Sequence, residues 1–114
     1  MAKSKIPNPL ARRHLLEREL PPAQALRLAE AYLAEGRSLE AVEFLRKADA
    51  RDRLAALREE SVAAGDSFLL RIVATALGEA PDRELWRRLA EAADAAGKLR
   101  QAADARRQAA RGGE

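Results

Sequence analysis

The chain has no cysteine and a single histidine, His14, among its 114 residues. Without thiols it can form no disulfide, no thiolate metal centre and no thiol nucleophile, so a disulfide-stapled scaffold is excluded. His14 has no second histidine or cysteine with which to share a metal, and it reads as a surface or capping residue. Apolar runs last only a few residues, too short for a helix that crosses a bilayer. Ser4, Ser38, Ser61, Ser67 and Thr75 have no base or nucleophile elbow around them, and no glycine-rich loop of the kind that cradles phosphate occurs. Gly112 and Gly113 read as a frayed end. Adjacent acidic residues such as Glu59 and Glu60 would point to different sides of a helix and cannot act on one substrate together. The chain is therefore expected not to be an enzyme and to need neither cofactor nor metal.

What is present is helical. The composition is 47% hydrophobic and 34% charged with only 4% aromatic, an Ala, Leu, Glu and Arg balance that predicts an all-α fold. The length fits one domain. Residues Met1 to Ile6 are basic but lead into Pro7, Asn8 and Pro9 rather than an apolar core, which reads against a secretory signal and for the cytoplasm. Net charge is +3. Residues 1–21 carry +3 and residues 82–114 carry +2, while 22–50 and 51–81 carry −1 each, so only the ends are basic.

Local signals divide the chain into residues 1–8 as a basic leader, 9–20 as an N-terminal helix and 21–111 as a repeat. Asn8 is placed to cap a helix over Pro9 to about Glu19, with Leu10, Leu15, Leu16 and Leu20 seeking a surface to cover. Pro21 and Pro22 break it. Three glycines, Gly36, Gly65 and Gly97, then each close one apolar-periodic stretch and precede another. The first unit, about 22–50, pairs a helix with Ala25, Leu28, Ala29 and Tyr32 on one face with a helix carrying Ala41, Val42, Leu45 and Ala48, for which Ser38 is the expected cap. The second, about 51–80, has Leu54, Leu57 and Val62 before Gly65, then Asp66 or Ser67 as cap. Its next helix, with Phe68, Leu69, Leu70, Ile72, Val73, Ala76 and Leu77, is apolar nearly all round and is expected to be covered on more than one side. The third, about 81–111, starts at Pro81-Asp82, carries Leu85, Trp86, Leu89, Ala90 and Ala93, and ends on a helix with Leu99, Ala102, Ala105 and Ala109. Trp86 falls on the apolar stripe and reads as core.

Aligned on the three glycines, residues 22–110 resemble the tetratricopeptide repeat. Ala25, Leu28, Ala29 and Tyr32 match the family's first helix, Ala41, Leu45 and Ala48 its second, and Trp86, Leu89, Ala90 and Ala93 repeat the first-helix positions in the third unit. The middle unit departs from the pattern, with Arg58 where a small residue is expected and Ser61 where an aromatic is expected. In the third, Arg106 stands at the bulky site between Ala102 and Ala109. The glycines are 29 and 32 residues apart, short of the family period of about 34. The resemblance implies an α-solenoid of three antiparallel hairpins behind the N-terminal helix, whose first helices line a concave groove. Groove residues would be Leu26, Glu30 and Leu33, then Ala55, Glu59 and Val62, then Arg87, Glu91 and Asp94.

Glu30, Glu59 and Glu91 fall at the same place in each unit and would form an acidic stripe for a basic or amphipathic segment of another protein. A non-catalytic interaction module, an adaptor or scaffold, is the expected function. The asparagines of a carboxylate clamp are missing, Asn8 being the one asparagine of the chain. Two alternatives stand beside it. One is nucleic-acid or other polyanion binding through Lys3, Lys5, Arg12 and Arg13 with Arg100, Arg106, Arg107 and Arg111. The other is a subunit that pairs with itself as a homo-oligomer. Leu10, Leu15 and Leu16 would be able to cover Leu26 and Leu33, in which case the N-terminal helix occupies the groove.

Overall fold

The computed structural model describes residues 6–111, and among them there are seven helices and no strand. They are α1 (Pro9–Glu17), α2 (Pro22–Ala34), α3 (Ser38–Lys47), α4 (Arg51–Ala64), α5 (Ser67–Leu77), α6 (Arg83–Ala95) and α7 (Leu99–Arg111). The all-α expectation holds. Lys3, Lys5, Ser4 and the Gly112-Gly113 end lie outside the described residues.

Local chemistry sets most of the boundaries. Asn8 accepts from the Ala11 amide at 2.8 Å through its side-chain oxygen, and Pro9 follows at the first helical position. Asp66 caps α5 through the Leu69 amide at 3.0 Å, and Asp82 caps α6 through the Leu85 amide at 2.8 Å. Each satisfies an amide that has no partner inside the helix. Ser38 does not cap α3. It is the first helical residue, Arg37 holds the cap position without a side-chain cap bond, and Arg37 instead pairs with Glu40 in the first turn.

The glycines after α2, α4 and α6 close their helices in one way. Gly36, Gly65 and Gly97 have φ of 73°, 68° and 74°. Past them the amides of Arg37, Asp66 and Lys98 return to the carbonyls of Tyr32, Ser61 and Ala93 at 2.9, 2.9 and 2.8 Å. This is the left-handed closure that satisfies carbonyls at a helix end.

The chain divides into two compact units, Met1–Arg53 and Leu54–Glu114. In the first, α2 packs along α3. Ala25, Ala29 and Tyr32 are buried on α2, and Ala41, Val42, Phe44 and Leu45 on α3. The alanines allow close approach, and the rings of Tyr32 and Phe44 stack with centroids 5.6 Å apart. Phe44 lies off the stripe read from the sequence, yet it is fully buried. Ala48 falls at the C-cap rather than within the helix.

In the second unit α6 packs along α7, and α5 also touches α7. The core joins Val62, Leu70, Trp86, Leu89, Ala90, Ala93, Ala102, Ala105 and Ala109, with Leu85 packed beside it. Trp86 is therefore a core residue. Ser61, at the place where the repeat pattern asks for an aromatic, is fully buried and donates to the Arg58 carbonyl at 2.6 Å, which removes the cost of burying its hydroxyl. α5 is less enclosed than its composition predicts. Leu69, Leu70, Val73, Ala74 and Leu77 are buried, but Phe68, in its first turn, is 57% exposed.

Candidate functional site

Glu30, Glu59 and Glu91 each occupy the ninth position of their helix, in α2, α4 and α6, and all three are exposed. Two of these carboxylates are already engaged. Glu30 accepts from Arg53 Nε at 2.8 Å, and Glu59 accepts from Arg88 Nη2 at 3.2 Å. Each bond joins the acid to an arginine of the next first helix, α2 to α4 and α4 to α6. Asp94 is paired with Arg106 across the α6–α7 hairpin. Glu30, Glu59 and Asp94 are thus held in exposed ion pairs, each worth about 0–1 kcal/mol.

The remaining candidate residues divide by burial. Leu26 is exposed and Leu33 half-buried in the first unit. Val62, expected to offer apolar contact to a partner, is 2% exposed and belongs to the core of the second unit. It faces inward, in one cluster with Leu70 of α5 and Trp86, Leu89, Ala90 and Ala93 of α6. Arg87 and Glu91 line a shallow depression with Arg83 and Arg106, and Arg87 reaches Glu84 one turn back at 3.5 Å. Arg87, Glu91, Asp94 and Arg106 are therefore brought together on the α6–α7 hairpin, with cations and carboxylates interleaved.

Leu10 is 63% exposed and Leu26 37% exposed. Leu15 and Leu16 of α1 are half-buried, while Leu26 is not buried beneath them. Instead α1 engages the first unit through Arg12. Its guanidinium lies 5.5 Å from the ring centroids of both Tyr32 and Phe44 and donates to the Glu40 carbonyl at 2.9 Å. Arg37 lies 5.3 Å from the Tyr32 ring. Lys47 donates to the Arg18 carbonyl at 3.1 Å and ties the end of α1 down. Nothing in the helical periodicity marked Arg12 for this place, since a cation over two rings is a non-local arrangement.

The same cluster contains the clearest electrostatic perturbations. Arg37 donates to Glu40 through Nε at 2.6 Å and holds its carboxyl below the ordinary value of 4.5. Burial pushes the Tyr32 phenol above 10.0 against the opposing pull of Arg12, with Glu40 raising it further and Arg37 lowering it. A raised phenol contributes stability that is full below the unfolded value near 10 and is lost as pH rises through the folded value. Tyr32 is the one tyrosine, so its phenolate absorbance reads the site directly. The expected midpoint lies above 10 in the native chain and returns to the ordinary value in denaturant; equal midpoints would show that the phenol is solvated.

In the second unit, a cleft of about 660 Å³ is lined by Arg71, Thr75, Trp86, Gln108 and Arg111 among others. With its amide oxygen turned toward the arginines, Gln108 accepts from Arg71 Nη2 at 2.7 Å and from Arg111 Nη2 at 3.0 Å. Arg71 also pairs with Asp104. Among the described residues there is no group of three or more His, Asp or Glu arranged to hold a metal ion, and no helix is long and apolar enough to cross a membrane. His14 is exposed. No protein family, curated protein or solved structure matches the chain.

Proposed function

We propose that the chain is a non-catalytic interaction module built from tetratricopeptide-like helical hairpins, a short α-solenoid that holds a basic or amphipathic segment of another protein along its first helices. The observation that carries this reading is the recurrence of an exposed glutamate at the ninth position of α2, α4 and α6, two of them holding an arginine of the following first helix. A surface that selects arginine repeatedly from its own chain has the chemistry to select it from a partner. Exposed pairs cost little to exchange, because both groups stay solvated until the incoming cation replaces the resident one. Leu26 and half-buried Leu33 beside Glu30 add apolar contact. The paired α2–α3 and α6–α7 helices and the common glycine closure support the hairpin reading.

The test is capture of partners from lysate by the full chain and by the triple variant Glu30→Lys, Glu59→Lys, Glu91→Lys. Loss of the captured species, with helicity retained by circular dichroism and capture weakening as salt rises, is the expected outcome. Capture that is indifferent to the triple change would remove the acidic surface from the proposal. The polyanion alternative rests on the basic ends, among whose described residues Arg12 is committed to the two rings, Arg106 pairs with Asp94 and Arg107 with Asp104. Retention of the unaltered chain on heparin, falling steeply as salt rises and abolished by Arg100→Ala with Arg107→Ala and Arg111→Ala, would favour that alternative.

A further inference from the structure

Phe68 and Leu99 are the large apolar side chains that the second unit leaves in solvent, 57% and 72% exposed. Phe68 is the second residue of α5 and Leu99 the first of α7, so each stands in the first turn after a glycine closure, Gly65 in one case and Gly97 in the other. Hydrogen bonds hold these two turns side by side. Lys98 Nζ donates to the Ala64 carbonyl at 2.7 Å, and the Ser67 amide donates to Gln101 Oε1 at 2.6 Å. Ala63, Ala64, Ala95 and Ala96 are exposed on the same turns. Apolar residues exposed singly are ordinary, but two large ones on adjoining turns amid exposed alanines form one apolar tip. Leu39 repeats the placement in the first unit, exposed and three residues past Gly36 as Phe68 is three past Gly65.

The uncompensated charge at the tip is positive. Lys98 and Arg100 are exposed, Lys98 gives its bond to a neutral carbonyl, and neither is in an ion pair among the described residues. The carboxylates on the same flanks are committed elsewhere. Asp66, half-buried, caps α5 at the Leu69 amide, Asp94 pairs with Arg106, and Asp104 pairs with Arg71. Apolar side chains with free cations at their base match the surface of an anionic membrane, where the acyl boundary takes up the first and the headgroups the second. Side chains this exposed also project, and a fluid phase closes around projections without the matching socket that a folded partner would need.

We propose that this tip of the second unit docks on an anionic lipid surface, with Phe68 and Leu99 entering the boundary between headgroups and acyl chains and Lys98 and Arg100 meeting the headgroup anions. Two side chains and two cations make the attachment reversible. The tip is built from the turns and the starts of α5 and α7, and it is separate from the first-helix glutamates proposed to meet a protein partner.

The experiment is co-sedimentation of the full chain with vesicles of phosphatidylcholine alone and of an equimolar mixture of phosphatidylcholine and phosphatidylserine, over a salt series. Binding to the mixed vesicles that weakens as salt rises, with little binding to the neutral ones, is expected. Phe68→Ser together with Leu99→Ser should reduce it by about tenfold or more through loss of the inserted apolar area. Arg100→Ala should reduce it about fivefold, the worth of one cation near the surface. All three residues are exposed, so Trp86 emission should show the fold unchanged in each variant. Because the chain has no cysteine, an environment-sensitive dye on Leu99→Cys reports the tip alone, and its emission should move to the blue with mixed vesicles. A blue shift that grows with protein concentration in the absence of vesicles would assign the tip to a second copy of the chain instead. That result, no binding to mixed vesicles, or binding indifferent to the double serine change would overturn the proposal.

Discussion

Gly65→Ala is expected to destabilise the second unit by about 2–5 kcal/mol, from left-handed strain of about 1–2 kcal/mol and overpacking of about 1–3 kcal/mol. Gly65 is buried at the α4–α5 turn with φ of 68°. A Cβ there would meet the Ala93 Cα at 2.6 Å and the Ala93 nitrogen at 2.7 Å. These are backbone atoms of α6, which cannot rotate away as a side chain would. Relief requires α6 to move, and α6 carries Trp86, Leu89, Ala90 and Ala93 into the core. The comparison is Gly36→Ala, where φ is 73° and no atom lies within 4 Å of the added carbon. That change should cost only the strain of about 1–2 kcal/mol. The chain has one tryptophan and one tyrosine, which lie in different units, so Trp86 emission reads the second unit and Tyr32 the first. Denaturant titration of Gly65→Ala should move the Trp86 transition to lower concentration. Equal shifts for Gly65→Ala and Gly36→Ala would show that the close approach to α6 is not maintained in solution.

The second large effect is expected from Trp86→Ala, with a loss of about 3–5 kcal/mol. Trp86 is 4% exposed and belongs to a cluster with Val62, Leu70 and Leu89 in which the other members, Ala90, Ala93, Ala102, Ala105 and Ala109, are all alanine. Alanines cannot reach into the space the indole leaves, so the cavity persists instead of collapsing, which places the cost toward the upper end of the range. Trp86→Phe should recover about half of the loss by filling part of that volume. Amide exchange is the check, because the tryptophan itself is gone: protection should fall across α6 and α7. Retained protection there in Trp86→Ala would mean that the alanine seam alone holds the hairpin.

The two effects share a cause. This unit is built on alanine at the α6–α7 seam and glycine at the α4–α5 turn, and small residues let backbones approach until no further atom fits. Such packing is unforgiving toward added volume, and equally toward removal of its largest side chain.

How much of the site was legible follows from the range over which each signal acts. The ninth-position glutamates repeat with the helices, and helix period and caps show that without any tertiary knowledge. That Glu30 and Glu59 are occupied by Arg53 and Arg88 does not follow, since the partners are 23 and 29 residues away. Val62 passed for a groove residue because one residue of a helical stripe differs from its neighbour by only 100° or so of rotation. The faces flanking an apolar stripe are separated from the core by packing and not by periodicity. The place that Arg12 takes over Tyr32 and Phe44 gave no signal, because it depends on how α1 lies against α2 and α3.

The amino-acid order by itself determined the helical class, the starts at Asn8, Asp66 and Asp82 and the stops at Gly36, Gly65 and Gly97, because each is settled by hydrogen bonds and dihedral preferences within about four residues. Ser38 and Gly78 mark the edge of that reach. The serine yields its cap to an Arg37–Glu40 pair, and Gly78, with φ of 71°, ends α5 where the apolar pattern gave no break. Only the tertiary structure decided that Phe44 is buried and Phe68 is not, that Gly65 approaches the α6 backbone, and that Arg12 lies over Tyr32 and Phe44. Those outcomes depend on which helix faces meet, and that is set by summed packing over the whole chain rather than by any local run of residues.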